Sequence, residues 1–282
     1  MTTDLSAVLR TIDGWGADHA AAAVVGPDGV IAQNGEADHR YRWASVTKLA
    51  TAIAVLSAVD DDELDLDGPA GPPGATVRHL LAHASGLPFD GDRVLARPGT
   101  RRIYSNAGFD LLGELLAERS GRPFAVVLTD RVLAPLGMAD TELVGRPSEG
   151  LHGPLADAAA LAREMLRPTL LRDETASAVR SVQFAGLKGV LPGVGTFDPL
   201  DWGLGPELRD EKAPHWTGTT NSPRTFGHFG GAGTFIWVDP AVDRALVCLT
   251  DREFGPWALE AWPRLSDAVI EVQGEAVDRS QG

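Results

Sequence analysis

The chain predicts a mixed α/β protein of the α+β kind: one antiparallel sheet covered by the N- and C-terminal helices, with a mainly helical lobe inserted between its strands. Three observations predict it. A helix and a hairpin open the chain, a long helical stretch fills the middle, and two strand-like runs followed by a helix close it. With 282 residues, 44% hydrophobic and 23% charged side chains and no low-complexity tract, the sequence can bury a large core, which excludes disordered and fibrous classes. Residues 1–282 read as a single domain of two lobes, a sheet lobe of 1–43 with 183–282 and a helical lobe of 44–182.

Taken in order, Asp4 to Trp15 reads as a helix. The apolar run Ala20 to Val25, the turn Gly26-Pro27-Asp28-Gly29 and the run Val30 to Gln33 then read as a hairpin. Ala44 to Val59 is apolar almost all round, the pattern of a helix buried on every face. Val77 to His83 ends at Gly86 and Pro88, Asn106 to Arg119 at Gly121 and Pro123, Phe124 to Leu133 at Pro135 and Gly137, and Leu155 to Leu166 at Pro168. Each is a helix stopped by glycine or proline. Gly186 to Pro223 is rich in Gly, Pro and Trp with little periodicity, so loops that line a cleft are expected. Gly233 to Val238 and Arg244 to Thr250 read as strands, and Pro256 to Val272 as the closing helix.

A net charge of −14, with no basic cluster beyond Arg101-Arg102, opposes nucleic acid and anionic membranes and favours small-molecule chemistry. Met1 to Ser6 form neither a basic nor an apolar leader, and the apolar run Ala50 to Ala58 is too short to span a bilayer, which predicts a cytoplasmic protein. The single cysteine, Cys248, agrees with a reducing compartment and reads as core within an apolar run. The acidic run Asp60-Asp61-Asp62-Glu63 lacks the glycine and distal glutamate of a calcium loop and reads as a solvated turn. His79 and His83, four apart, lack the glutamate of H-E-x-x-H and read as packing. No metal and no other cofactor is predicted, and no signal sets the oligomeric state. The absence of G-x-S-x-G, Walker A and G-x-G-x-x-G patterns removes the commonest α/β-hydrolase and nucleotide-binding readings.

One tetrad carries chemistry. Ser45-Val46-Thr47-Lys48 sets a hydroxyl and an amine one helical turn apart on one face, where a desolvated lysine can help take the serine proton. The chain holds three lysines and twelve serines, yet about one chain in eight of this composition would carry the spacing by chance, so further partners are required. They follow in order: Tyr104-Ser105-Asn106 before a helix, and Gly227-His228-Phe229-Gly230-Gly231-Ala232-Gly233 before a strand.

Together these resemble the S-x-x-K, Y-x-N and H-x-G motifs of the serine β-lactamase and penicillin-binding-protein superfamily, in its class C-like, family VIII esterase form. Connecting segments from Val77 to Pro88, Pro98 to Thr100 and Pro135 to Thr141 are similar too. The resemblance implies the β-lactamase/DD-peptidase-like fold and a set of roles. Ser45 would attack a carbonyl to form an acyl-enzyme, with the backbone N–H groups of Ser45 and Gly231 binding the oxyanion. Either Lys48 or a Tyr104 phenol acidified by Lys48 would take the proton. Asn106 would hold the acyl side chain, and His228 with Gly230 would form the opposite strand wall. Many relatives carry lysine at position 228, so this histidine, mostly neutral at pH 7, is expected to weaken recognition of a substrate carboxylate.

Trp216-Thr217-Gly218 is a rival third motif, set aside because it leads into Asn221-Ser222-Pro223 and not into a strand. Trp202 and Trp216 are candidates for walling an acyl pocket. The expected activity is an intracellular esterase or amidase on a small acyl substrate, with an ester, amide or lactam as partner. The alternatives are β-lactamase or D-Ala-D-Ala carboxypeptidase activity, disfavoured by the leaderless N-terminus, and a non-catalytic ligand-binding module of the same fold.

Overall fold

The computed structural model describes residues 4–280; Met1 to Thr3, on which part of the leaderless reading falls, lie outside the described residues. Asp4 caps α1 (Leu5–Leu9), which tightens into a 3-10 turn at Arg10–Gly14, so the one expected helix is two pieces. β1 (Ala20–Gly26) and β2 (Gly29–Gly35) form the expected hairpin, and β3 (Tyr41–Arg42) leads through a 3-10 turn at Ala44–Val46 into α2 (Thr47–Asp60). The middle of the chain supplies α3 (Val77–Leu81), β4 (Arg102–Ile103), α4 (Asn106–Ser120) and α5 (Phe124–Leu128), the last running on as a wider π-type turn. β5 (Glu142–Leu143), β6 (Leu151–Gly153), α6 (Leu155–Leu166) and α7 (Asp173–Val179) follow. The loop-rich stretch carries only the short β7 (Gly189–Leu191), β8 (Gly195–Phe197) and β9 (Glu207–Leu208). β10 (Phe226–Gly230), β11 (Thr234–Asp239), β12 (Arg244–Thr250) and α8 (Pro256–Ser280) close the fold.

The main sheet runs β2-β1-β12-β11-β10-β9, every neighbour antiparallel. Chain ends meet in its middle, with Ala22 opposite Cys248 and Phe235 opposite the same cysteine on the other side. Its inner strands β1, β11 and β12 are buried on both faces and therefore read as continuous apolar runs instead of alternating ones, while the edge strand β2 is largely exposed. On one face Val24, Trp237 and Leu246 pack under Leu9 of α1 and Trp262 and Leu265 of α8, the double helical cover predicted from the sequence. Each such large side chain contributes roughly 1.5–3 kcal/mol of burial.

The opposite face corrects the expected lobe division. α6 lies directly against β1, β11 and β12, although the sequence placed it in the helical lobe of 44–182. Ala158, Ala159 and Ala162 give it a flat surface that lets it approach the sheet, a face that helical periodicity alone cannot assign to a partner. α2, buried from Thr47 through Leu56, runs through the same core with α3, α4 and α5 around it. A second correction concerns His228: the glycine-rich run is itself the strand β10, where the sequence had it leading into one. No helix among the described residues is long and apolar enough to cross a membrane.

Candidate active site

Ser45 sits in the 3-10 turn that opens α2, and the turn is clamped from both sides. The Trp43 backbone N–H donates to Leu151 O at 2.9 Å, its indole donates to Gly153 O at 3.1 Å, and its carbonyl accepts from Thr234 Oγ1 at 2.8 Å. Between this anchor and the serine, Ala44 adopts φ +47°, a left-handed conformation rare for a residue with a Cβ, so the surrounding clamp holds a strained turn that lifts Ser45 from the helix axis. Gly230 explains how the strand comes so close: a Cβ there would meet Trp43 O at 2.4 Å and Ala44 Cβ at 3.1 Å. Only glycine lets β10 lie against the nucleophile turn.

Below Ser45, Lys48 is fully buried. Its ammonium has three hydrogen-bond partners: Ser45 Oγ at 3.1 Å, Asn106 Oδ1 at 2.6 Å and Ser148 O at 2.9 Å. None is a carboxylate, so burial dominates and lowers the amine to about 7, with Glu149 and Asp110 opposing more weakly from a distance. When it loses a proton, the amine keeps two N–H groups for the two oxygens that can only accept, Asn106 Oδ1 and the Ser148 carbonyl. The lone pair is then left for the hydroxyl of Ser45.

Asn106 is the first residue of α4, behind an N-cap formed by Ser105, whose Oγ accepts from Gly108 N–H at 3.0 Å. With Oδ1 committed to Lys48, its amide nitrogen remains to donate. Tyr104 lies one residue before the cap, and Lys48 Nζ stands 4.9 Å from its ring centroid. Burial pushes the phenol up, offset in part by a hydrogen bond with Ser45, where the sequence expectation had it acidified. His83 props this turn, accepting from Ser105 N–H at 3.1 Å and lying 4.6 Å from the Tyr104 ring, so its packing role stands. His79 also packs, hydrogen-bonded to Thr76 and tilted against Phe184.

His228 faces the serine from β10. Its Nδ1 lies 2.7 Å from Phe229 O, an atom that only accepts, so Nδ1 carries the proton and Nε2 presents a lone pair with no protein partner. Burial, helped by the Lys48 charge, lowers this imidazole to about 3, so the ring stays neutral. Ser45, Tyr104, Asn106, His228 and Gly231 line one cavity of about 270 Å³, while Lys48 and Gly230 form its support. Trp202 walls it; Trp216 does not, being turned behind the sheet with its indole on Glu207 Oε2 at 2.6 Å. The cavity behind α2 offers only about 20 Å³, too little for a ligand. Cys248 is buried and its thiol pushed up, as expected of core.

Sequence reasoning missed three features of this site. The Ser148 carbonyl has no residue-type signature; its loop is fixed by Thr51 Oγ1 on Pro147 O at 2.7 Å, and by Asp110, which accepts from the Ser148 N–H at 3.1 Å. Gly113 of α4 makes room for that loop, since a Cβ there would strike Pro147 at 2.3 Å. Phe89 and Phe254 add apolar walls, and Glu149 and Glu207 add acidic ones.

A sequence model of the Beta-lactamase family matches residues 13–269. The chain belongs to the Beta-lactamase family. Its fold is that of the family's serine hydrolases: a beta-lactamase from Mycobacterium bovis superposes with a TM-score of 0.93 at 52% identity, covering 94% of this chain and 99% of that one. Among sequence relatives, the D-alanyl-D-alanine-carboxypeptidase/endopeptidase AmpH of Escherichia coli K12 is 29% identical over 40% of this chain and 39% of its own length. Esterase EstB of Burkholderia gladioli is 31% identical over 43% of this chain and 42% of its own. The aligned segments thus span less than half of these two relatives. The relatives it matches include an esterase, a carboxypeptidase/endopeptidase and a beta-lactamase, members of a family of serine hydrolases.

Proposed function

We propose that the protein is a serine hydrolase that forms an acyl-enzyme on Ser45, an esterase or amidase acting on a small acyl substrate. The observation that carries this is the Lys48 amine, fully buried, near neutral in its titration and bonded so that its lone pair falls on Ser45 Oγ. In the forward step Lys48 takes the hydroxyl proton as Oγ bonds the substrate carbonyl carbon. The carbonyl oxygen becomes an oxyanion held by the N–H groups of Ser45 and Gly231. Tyr104, protonated at neutral pH, passes a proton to the leaving group and is resupplied from Lys48. Water then repeats the attack on the acyl-enzyme.

His228 narrows the substrate. The wall that carries lysine in many relatives here offers a neutral ring with an outward lone pair. Among the described residues that line the cavity the cation is Arg42, half-exposed and bridged to Glu253 at 2.8 Å, while Glu149 and Glu207 line the same space. A substrate carboxylate would meet two carboxylates and an arginine already bridged at the rim, whereas a neutral acyl group or one bearing a hydrogen-bond donor would be accepted. This favours uncharged esters and amides over penicillins and D-Ala-D-Ala peptides, the substrates of the second reading. Intact-mass measurement after a fluorophosphonate should give a single adduct, absent in Ser45→Ala; an adduct that persists in that variant overturns the proposal. Faster turnover of nitrocefin than of short p-nitrophenyl esters would replace it with the beta-lactamase reading. A protein that neither forms the adduct nor turns over any of these substrates would be the non-catalytic module.

A further inference from the structure

A second cluster lies away from the cleft, at the open end of the β1–β2 hairpin. His19 immediately precedes β1, Glu36 immediately follows β2, and a turn brings His39 back over them. One ligand atom from each of these three residues lies within 4.8 Å of the other two. His19 Nδ1 is 2.9 Å from Glu36 Oε2, and the two imidazoles stack at 3.9 Å between centroids with 16° between their planes. His19 lies 17 residues before Glu36, and the Glu36–His39 pair sits in a turn with no third ligand nearby in sequence, so pattern reading passes over them.

Their backbones are fixed although their side chains reach solvent. The Asp18 and His19 N–H groups both donate to Asp251 Oδ1 at 3.0 Å. Glu36 N–H donates to Ala20 O at 2.9 Å, its carbonyl accepts from the buried Tyr41 hydroxyl at 3.0 Å, and His39 N–H donates to the same carbonyl at 3.2 Å. The Tyr41 ring, 4.7 Å from that of His39, supports it edge-on. The local field is negative: the Glu36 hydrogen bond, with Asp251 and Asp18 behind it, raises His19 above its ordinary value. A site that draws a proton onto an imidazole in this way also favours a cation.

We propose that His19, Glu36 and His39 bind a divalent transition metal of the zinc or nickel class. Two imidazoles and one carboxylate suit these ions, whereas calcium and magnesium prefer oxygen ligands throughout. Ligands around a tetrahedral zinc stand roughly 3–3.5 Å apart, so these partly exposed side chains, already within 4.8 Å, would close by about an ångström while the two rings tilt out of their stack to aim their nitrogens at one ion. Water fills the remaining position. The ion would tie both strands of the hairpin at the sheet edge to the turn that leads towards β3, which makes it a structural clip remote from Ser45. The proposal does not rest on the hydrolase reading.

The test is isothermal titration of untagged, chelator-treated protein with zinc chloride, nickel chloride and calcium chloride in turn. The expected result is one zinc per chain, nickel competing with it and no calcium uptake, with affinity at least tenfold weaker in His19→Ala and His39→Ala. Zinc should also raise the Tm of the wild type and leave that of His39→Ala unmoved. Circular dichroism and ester turnover of His39→Ala and the milder His39→Asn, matching the wild type, would show that these variants are folded. No zinc uptake by the wild type, or uptake that both alanine variants retain at full affinity, overturns the proposal and leaves an ordinary surface ion pair beside a stacked ring.

Discussion

Lys48 and Lys212 are both buried amines near the cleft, and they have opposite surroundings. Lys212 stands 3.5 Å from Glu207 Oε1 and also donates to the carbonyls of Asp201 and Leu208; His215 at 3.1 Å and the Trp216 indole at 2.6 Å complete the shell of that carboxylate. Lys48 meets only a hydroxyl, an amide oxygen and a carbonyl. Burial is common to both; the counter-charge is what separates a structural cation from an amine ready to take a proton.

Removing the unpaired amine should have the largest effect. Lys48→Ala is expected to lower kcat for a p-nitrophenyl ester by about 10³-fold or more, in protein shown by circular dichroism to be folded at the assay temperature. Retention of a tenth of the wild-type rate would place proton transfer elsewhere. The matching change at the other lysine, Glu207→Gln, leaves Lys212 buried without its counter-charge and should cost about 3–5 kcal/mol of stability in denaturant unfolding. A loss below 1 kcal/mol would mean that Lys212 finds water.

The difference between the two lysines can also be erased. Asn106→Asp places a carboxylate against Lys48 and should raise its pKa by about one to three units. Since the base must be neutral, the wild-type rate falls as pH drops through about 7. In the variant that acid limb moves up, and the rate at pH 7 falls about five- to five-hundredfold as the shift runs from one to three units. An unmoved limb would assign it to another group. The smallest effect belongs to a third buried amine. His228→Lys supplies a cation on the β10 wall and should improve kcat/KM for a carboxylate-bearing ester about tenfold relative to its neutral analogue. It should also move the acid limb slightly down by like-charge repulsion. Equal change for both esters would mean that position 228 does not contact that part of the substrate.

The pairing of Ser45 with Lys48 was legible because helical spacing converts directly into a shared face, and Tyr104, Asn106 and His228 because they come in order around them. The hairpin and the terminal helices were legible from periodicity. Their limits follow from the same physics. The Ser148 carbonyl is backbone, so no residue type announces it. The pairing of Lys212 with Glu207 and the meeting of His19, Glu36 and His39 depend on how turns fold back, and α6 presents to the sheet an alanine face that would suit a helical lobe equally well. For Tyr104 the sequence shows the nearby cation but not the loss of water on burial, which raises the phenol.

The order of the strands also has a consequence for synthesis. Ser45 and Lys48 leave the ribosome early, but β1 finds its inner partner only when β12 emerges some 220 residues later, and the His228 wall arrives just before it. A nascent or truncated chain ending before residue 226 therefore carries the serine without the far side of the cleft or its Gly231 donor. The strand order alone therefore puts completion of the proposed cleft at the end of synthesis.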